Sequence, residues 1–221
     1  MVYFFCSVCY NIMNNKYFYR YYCSVYLKSG EIMELEEKRT GGETLYEGKI
    51  IDLVKDTVLL PNGANAIREV VVHHGGVCVA ALTDENEVFL VSQFRYPNRG
   101  VLLEVPAGKL EKGEEPFEAI KRELKEEVGA EAENFYLLGT FNPTPAYCSE
   151  IIYLYAATGL TFSEQKLDED EFLNVEKMPL SDAVNKILSN EITDGKTQAL
   201  LLKTFMHLKE KSLHEYLITE D

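Results

Sequence analysis

The sequence predicts an α/β or α+β sandwich built on a mixed β-sheet, and three observations predict it. Short β-rich runs fill most of residues 45–107, one helix-spaced stretch follows Gly113, and further strands then precede two closing helical patterns. No regular β-α-β repeat orders them, which sets the chain apart from a doubly wound parallel fold.

The elements follow in order. LYEGKIIDLVKDTVLL, AIREVVVHH, GVCVAALT, EVFLVSQFRY and VLLEVPAG are rich in β-branched and aliphatic residues and read as strands. PNGAN at 61–65 and TDEN at 83–86 carry hairpin turn signals between them. Pro116 suits the first turn of a helix and Gly129 its stop, so a helix is expected after Gly113. Strands are expected near FYLLGTF and EIIYLYAATGL, and again around LNVEKM after the acidic stretch KLDEDEF. A helix from about Ser181 and an amphipathic helix from about Asp194 to Lys211 close the chain.

Residues 1–32 differ from the rest: they hold seven of the fourteen tyrosines, three of the five cysteines and a single acid, Glu31. Their aromatics keep neither a period of two nor one of 3.6, and Asn11, Asn14, Asn15 and Lys16 interrupt any export-signal core. Ordinary globular composition begins at Met33, which reads as the natural start, with 1–32 a start-site misassignment or a poorly ordered or membrane-touching extension. Residues 33–221 then make one domain.

A formal net charge of −14 without a Lys/Arg cluster argues against nucleic acid or an acidic lipid surface as partner. An anionic substrate needs a local remedy, most simply a divalent cation. No apolar run approaches the roughly 20 residues that span a bilayer. Five cysteines, an odd number, give no disulfide framework, and a cytoplasmic setting with reduced thiols is expected. The Cys6-x-x-Cys9 pair has no second half to complete a zinc site.

The stretch GKLEKGEEPFEAIKRELKEEVGA, residues 108–130, carries the chemistry. On a helix Glu123, Glu126 and Glu127 fall three and four apart, so their carboxylates converge on one edge, while Phe117, Ile120, Leu124 and Val128 form an opposite stripe fit for burial. Glutamate-rich helices are usually only solvated, but crowded carboxylates on a half-buried helix suit a hard, oxygen-liganded cation such as Mg2+ or Mn2+.

Gly108, Glu114, Arg122, Glu123, Glu126, Glu127 and Gly129 reproduce G-x5-E-x7-R-E-U-x-E-E-x-G-U, with Leu124 at the first bulky apolar place and Ala130 in place of a bulkier final aliphatic. Seven fixed residues at roughly 7% background usage each make a chance match on the order of one in a million. The stretch resembles the Nudix box. The resemblance covers about residues 40–210 and implies the Nudix fold, a mixed sheet sandwiched between helices, and hydrolysis of a nucleoside diphosphate linked to another group. It further implies Glu123, Glu126 and Glu127 as metal ligands with the Ala107 carbonyl, and Glu114 with Arg122 as an orienting pair.

FRYPNRGVLLEVPAG, FNPTPAYCSE and LDEDEFLNVEKMPL resemble the ADP-ribose pyrophosphatase branch. That likeness implies a Mg2+-dependent cleavage of ADP-ribose to AMP and ribose 5-phosphate, Glu171 as the residue handling the attacking water with Glu169 and Asp170 as rivals, and Arg95 as a phosphate or ribose contact. It also implies a homodimer in which N-terminal strands at about 44–75, forming an antiparallel sheet, bring Arg68 and Glu69 near the partner's cleft. The lesser reading of Arg95 is a structural salt-bridge partner, whereas Arg68 with Glu69 reads equally as an exposed cross-strand charge pair. Some relatives stack adenine between tryptophans, of which this chain has none, and Ile50 or a tyrosine such as Tyr46 are the alternatives for that place. Rivals are a hydrolase for another nucleoside diphosphate derivative and a non-catalytic ADP-ribose-binding module. The four histidines, at 73, 74, 207 and 214, show no ligand spacing and read as structural or exposed.

Overall fold

Strand β4 (Gly76–Ala81) is buried along its whole length, and its alternation organises the molecule. Val77, Val79 and Ala81 point into one apolar cluster, while Cys78 and Ala80 point into another. A strand buried on both faces needs cover on both faces. The computed structural model, which describes residues 34–167 and 171–218, supplies it with helices.

Among the described residues ten strands form three sheets. β1 (Lys38–Glu47), β2 (Ile51–Leu59) and β3 (Asn65–His73) make an antiparallel N-terminal sheet. The central sheet runs β7 (Ala107–Lys109), β4, β9 (Ile152–Phe162), β8 (Ala130–Phe141), with β4 parallel to β9 and the other pairs antiparallel. The third sheet places β5 (Glu87–Arg95) between β10 (Leu173–Pro179) and β6 (Gly100–Glu104). One face of β4 and β9 packs on α1 (Pro116–Glu123) through Ala119 and Ile120 and on Leu124 just after it. The other packs on α2 (Leu180–Leu188) and α3 (Gly195–Glu210) through Leu180, Ala183, Leu200 and Leu201. The mixed sheet between helices that the sequence predicts is therefore present.

Several boundaries differ from the sequence expectation. The run from residue 45 is two strands, because Gly48–Ile50 turn the chain and the Gly48 N–H donates to the Ile51 carbonyl. The N-terminal sheet also starts at Lys38 rather than near 44: Arg39, Gly41 and Gly42 pair with β2 across a bulge, and glycine is a poor strand signal. VLLEVPAG likewise divides, since Pro106 separates β6 from β7 and each joins a different sheet. Both hairpin turns form, at Leu60–Ala64 and Thr83–Asn86.

The helix after Gly113 starts at Pro116 and stops at Gly129, as expected, but its last turn, Leu124–Val128, is π-helical. Gly129 sits at φ +70°, where an added Cβ would lie 2.7 Å from the Ser163 carbonyl, so glycine is required there twice over. The segment after β9 then caps the helix end: Lys166 N–H donates to the Glu126 carbonyl and the Gln165 amide to that of Glu127. α3 takes its N-cap from Asp194, which accepts from Thr197 N–H at 2.9 Å.

The N-terminal sheet meets the rest through β3, where Val71 exchanges backbone hydrogen bonds with Tyr147 and Ser149 and bridges Cys148. Residues 1–32 lie outside the described residues, and so does the question of their role. Among the described residues no helix is long and apolar enough to cross a membrane.

Candidate active site

The helix of residues 116–128, the β7 turn, the end of β5 and the start of α3 border one cleft of about 1160 Å³. That is ample for a nucleotide-sized ligand. The β1–β2 turn reaches it with Lys49 and Ile50, and Glu171 lines it from the segment before β10.

Arg122 is the hub of the glutamates. Its Nε and Nη2 donate to the two oxygens of Glu114 at 3.0 and 3.1 Å, while Nη1 donates to Glu123 at 2.7 Å and Glu126 at 3.0 Å. Glu114 also accepts from the Glu111 N–H at 2.8 Å, so one carboxylate ties loop to helix. The Arg122 hydrogen bonds hold the Glu114 carboxyl below its ordinary range, and Glu114 in turn raises Arg122.

Glu123 and Glu127 are 6% and 2% exposed. Burial pushes Glu123 up to about 7 against the pull of Arg122, and Glu127 up to about 8 against the Ala107 N–H that donates to it at 2.8 Å. The Glu171 charge adds to both shifts. Gly108 must be glycine here, since a Cβ would fall 1.8 Å from a Glu123 carboxylate oxygen. Among the described residues no three His, Cys, Asp or Glu groups already surround one point. Arg122 Nη1 donates to one oxygen of Glu123 and one of Glu126, and Glu127 accepts from the Ala107 N–H.

Arg95 ends β5 in the same cleft and grips Glu104 with two bonds of 2.7 Å. Glu104 is only 1% exposed, and its second oxygen also accepts from Lys196, whose ammonium donates to Asp194 at 3.0 Å. Burial lowers the Lys196 ammonium, but Asp194 and Glu104 more than offset it and leave it above its ordinary value.

The structure thus brings Arg95, Ala107, Arg122, Glu123, Glu126, Glu127 and Glu171 to one cleft. Glu169 and Asp170 lie outside the described residues. Arg68 and Glu69 do not line the cleft of their own chain. Arg68 is paired with Glu37 at 2.6 Å, and Glu69 stands opposite Lys55 on β2. Ile50 borders the cleft, whereas Tyr46 is 59% exposed and does not.

Sequence reasoning missed Glu104 and Lys196 and saw in Asp194 only the start of a helix. One signal was available: Glu104 interrupts the apolar run VLLEV, where a buried charge demands a partner. His73 and His74 also line the cleft. His73 Nδ1 accepts from the Gly75 N–H at 2.9 Å. Cys78 is fully buried, with its thiol pushed up by burial, and takes no part.

Against this geometry stand the comparisons with known proteins. The NUDIX domain model matches residues 72–203, more than half of the chain, and the model for a nucleoside diphosphate sugar hydrolase N-terminal domain matches residues 37–71. An ADP-ribose pyrophosphatase of Bacillus subtilis is 43% identical over 178 residues, covering 80% of this chain and 95% of the relative. A methanol dehydrogenase activator of Bacillus methanolicus is 41% identical over 182 residues, covering 81% and 97%. The crystal structure of an ADP compounds hydrolase superposes with a TM-score of 0.71 over 80% of this chain and 97% of its own, at 21% identity, a likeness of fold. The box glutamates around Arg122, the sandwich that presents them and the matched span agree, and the chain belongs to the Nudix hydrolase family.

Proposed function

We propose that this protein hydrolyses ADP-ribose to AMP and ribose 5-phosphate, with Mg2+ as its resident cation and Mn2+ as a substitute. The observation that carries the reading is the pair of buried carboxylates, Glu123 and Glu127, held beside Glu126 at a cleft that two cationic side chains, Arg95 and Lys196, also border. Similarity to the B. subtilis enzyme supports the choice of substrate.

The residues fit a hard divalent cation. Glu123, Glu126 and Glu127 offer carboxylate oxygens whose ionisation burial opposes at two of the three places, and Ala107 offers a carbonyl beside them. Arg122 engages one oxygen of Glu123 and one of Glu126, so the other oxygen of each would be open to a cation while Glu114 holds the remaining nitrogens of the guanidinium. When bound, such an ion neutralises diphosphate charge and acidifies water. Arg95 binds a phosphate oxygen through the N–H groups that Glu104 leaves free. Glu171 accepts a proton from the attacking water, with Glu169 as its rival; as water adds to one phosphorus, the bond from that phosphorus to the bridging oxygen breaks.

We further read the protein as a cytoplasmic homodimer. The N-terminal sheet leaves Leu45, Tyr46 and Ile67 about half exposed, and a partner's cleft lying over β3 gives Arg68 and Glu69 a ligand to meet. A solution mass of twice 25.2 kDa is expected by light scattering, and the mass of one chain would remove this part of the reading.

A second reading keeps the chemistry and changes the substrate to a nucleotide sugar, which the match of residues 37–71 favours. The test is product analysis from ADP-ribose, ADP-glucose, NADH and diadenosine compounds with Mg2+, beside EDTA controls. Preferential, EDTA-sensitive release of AMP from ADP-ribose is expected. Preference for another compound overturns the substrate, and cleavage of none overturns the enzyme.

A further inference from the structure

Lys196 is the second residue of a sixteen-residue helix. A cation there opposes the helix dipole, and the Asp194 cap is already satisfied by the Thr197 N–H and hydroxyl. Helix formation therefore does not call for a lysine at this place. Its ammonium donates to Glu104 and to Asp194, and its third hydrogen has no acceptor among the described contacts. The side chain is 11% exposed and that exposure is to the cleft.

Glu104 is equally hard to justify by stability alone. A carboxylate 1% exposed loses its hydration, and an apolar residue of like size commonly serves a core as well or better. What Glu104 does achieve is orientation. It takes the Nε and one Nη of Arg95, leaving the rest of the guanidinium free, and it fixes Lys196 on the same carboxylate. Two cations whose charges would repel each other are thereby held side by side. Both cations border the same cleft as Glu123, Glu126 and Glu127.

We propose that Arg95 and Lys196, locked together by Glu104, form a two-cation clamp for the diphosphate of the substrate, with Lys196 a substrate-binding residue and Glu104 a positioning residue. The clamp rests on the function proposed above for its substrate class. Its chemistry is the complement of the acidic helix: an anion with several oxygens can meet both cations, while Glu123, Glu126 and Glu127 would hold a divalent cation.

The test separates anion binding from structural support. Affinities of wild type, Lys196→Gln and Glu104→Gln are measured by calorimetry with Ca2+ for α,β-methylene ADP-ribose, which cannot be cleaved at the diphosphate, and for adenosine, which has no phosphate. KM and kcat for ADP-ribose are measured with Mg2+. The clamp predicts that both variants lose about tenfold or more in affinity for the diphosphate analogue, with adenosine unchanged and KM rising more than kcat falls. Unchanged analogue affinity, or equal weakening of analogue and adenosine, overturns it. Should Lys196→Gln fail to fold, Glu104→Gln decides alone, since a purely structural Glu104 lowers the melting temperature and leaves both affinities intact. Analogue binding needs no turnover, so a wild type that cleaves nothing refutes the proposed reaction while the clamp is still judged on its own result.

Discussion

Two charged clusters border the same cleft, and they are built in opposite ways. The first, Glu114, Arg122, Glu123, Glu126 and Glu127, comes from fourteen consecutive positions and sets four acids against one base. The second, Arg95, Glu104, Asp194 and Lys196, comes from β5, β6 and the start of α3, and its two acids match two bases. An excess of buried acid is a demand for a cation from outside, as the raised Glu123 and Glu127 carboxyls record. A balanced cluster satisfies itself and can only lend spare hydrogen-bond donors. On the proposed reading the first would hold metal and the second the anion.

The largest way to break this contrast is at the acid excess. Glu127→Gln removes one charge without changing shape, and hydrolysis is expected to fall by on the order of 10³-fold while ADP-ribose still binds. Unchanged turnover by steady-state assay would remove Glu127 from the mechanism.

A smaller effect sharpens the same point through the backbone. Gly108→Ala drives a methyl to 1.8 Å from Glu123, so the carboxylate must move. Turnover is expected to drop by about 10- to 100-fold, because this change reaches the acids through position rather than charge. Equal activity in the variant would show that the place of Glu123 is unimportant.

The smallest effect is a pH dependence that only the acid-rich cluster should show. Glu123 and Glu127 stand near 7 and 8 in the fold, above the ordinary carboxyl value of 4.5. The folded chain therefore holds more protons than the unfolded chain between about pH 5 and 8, and metal-free stability falls as pH rises through that window. Stabilisation by Mg2+ grows over the same range as the carboxyls give up their protons. Melting curves in EDTA and in Mg2+ from pH 5.5 to 8.5 check this, and parallel curves would contradict the raised carboxyls.

The two clusters also differ in how far the sequence announces them. Spacing within one helix is local, so Glu123, Glu126 and Glu127 on one edge and Ile120 and Leu124 on the other are legible from the chain. The caps at Pro116, Gly129 and Asp194 are legible for the same reason. The partnership of Glu104 with Lys196 joins residues 92 positions apart and depends on which strands enter which sheet. Pro106 makes that choice by sending β6 and β7 to different sheets, which a run of apolar letters does not reveal. The strand through Gly41 and Gly42 stayed hidden because its pairing with β2, and not its residue types, makes it a strand. The π-helical last turn leaves no mark in a pattern that reads as ordinary helix.

The most direct measurement is to hydrolyse ADP-ribose in 18O-labelled water with Mg2+ and weigh the products. Equal amounts of AMP and ribose 5-phosphate, with one 18O in the phosphate of just one of them, are predicted by water attack at the diphosphate. Label in neither phosphate, products of any other bond, or intact ADP-ribose would contradict it.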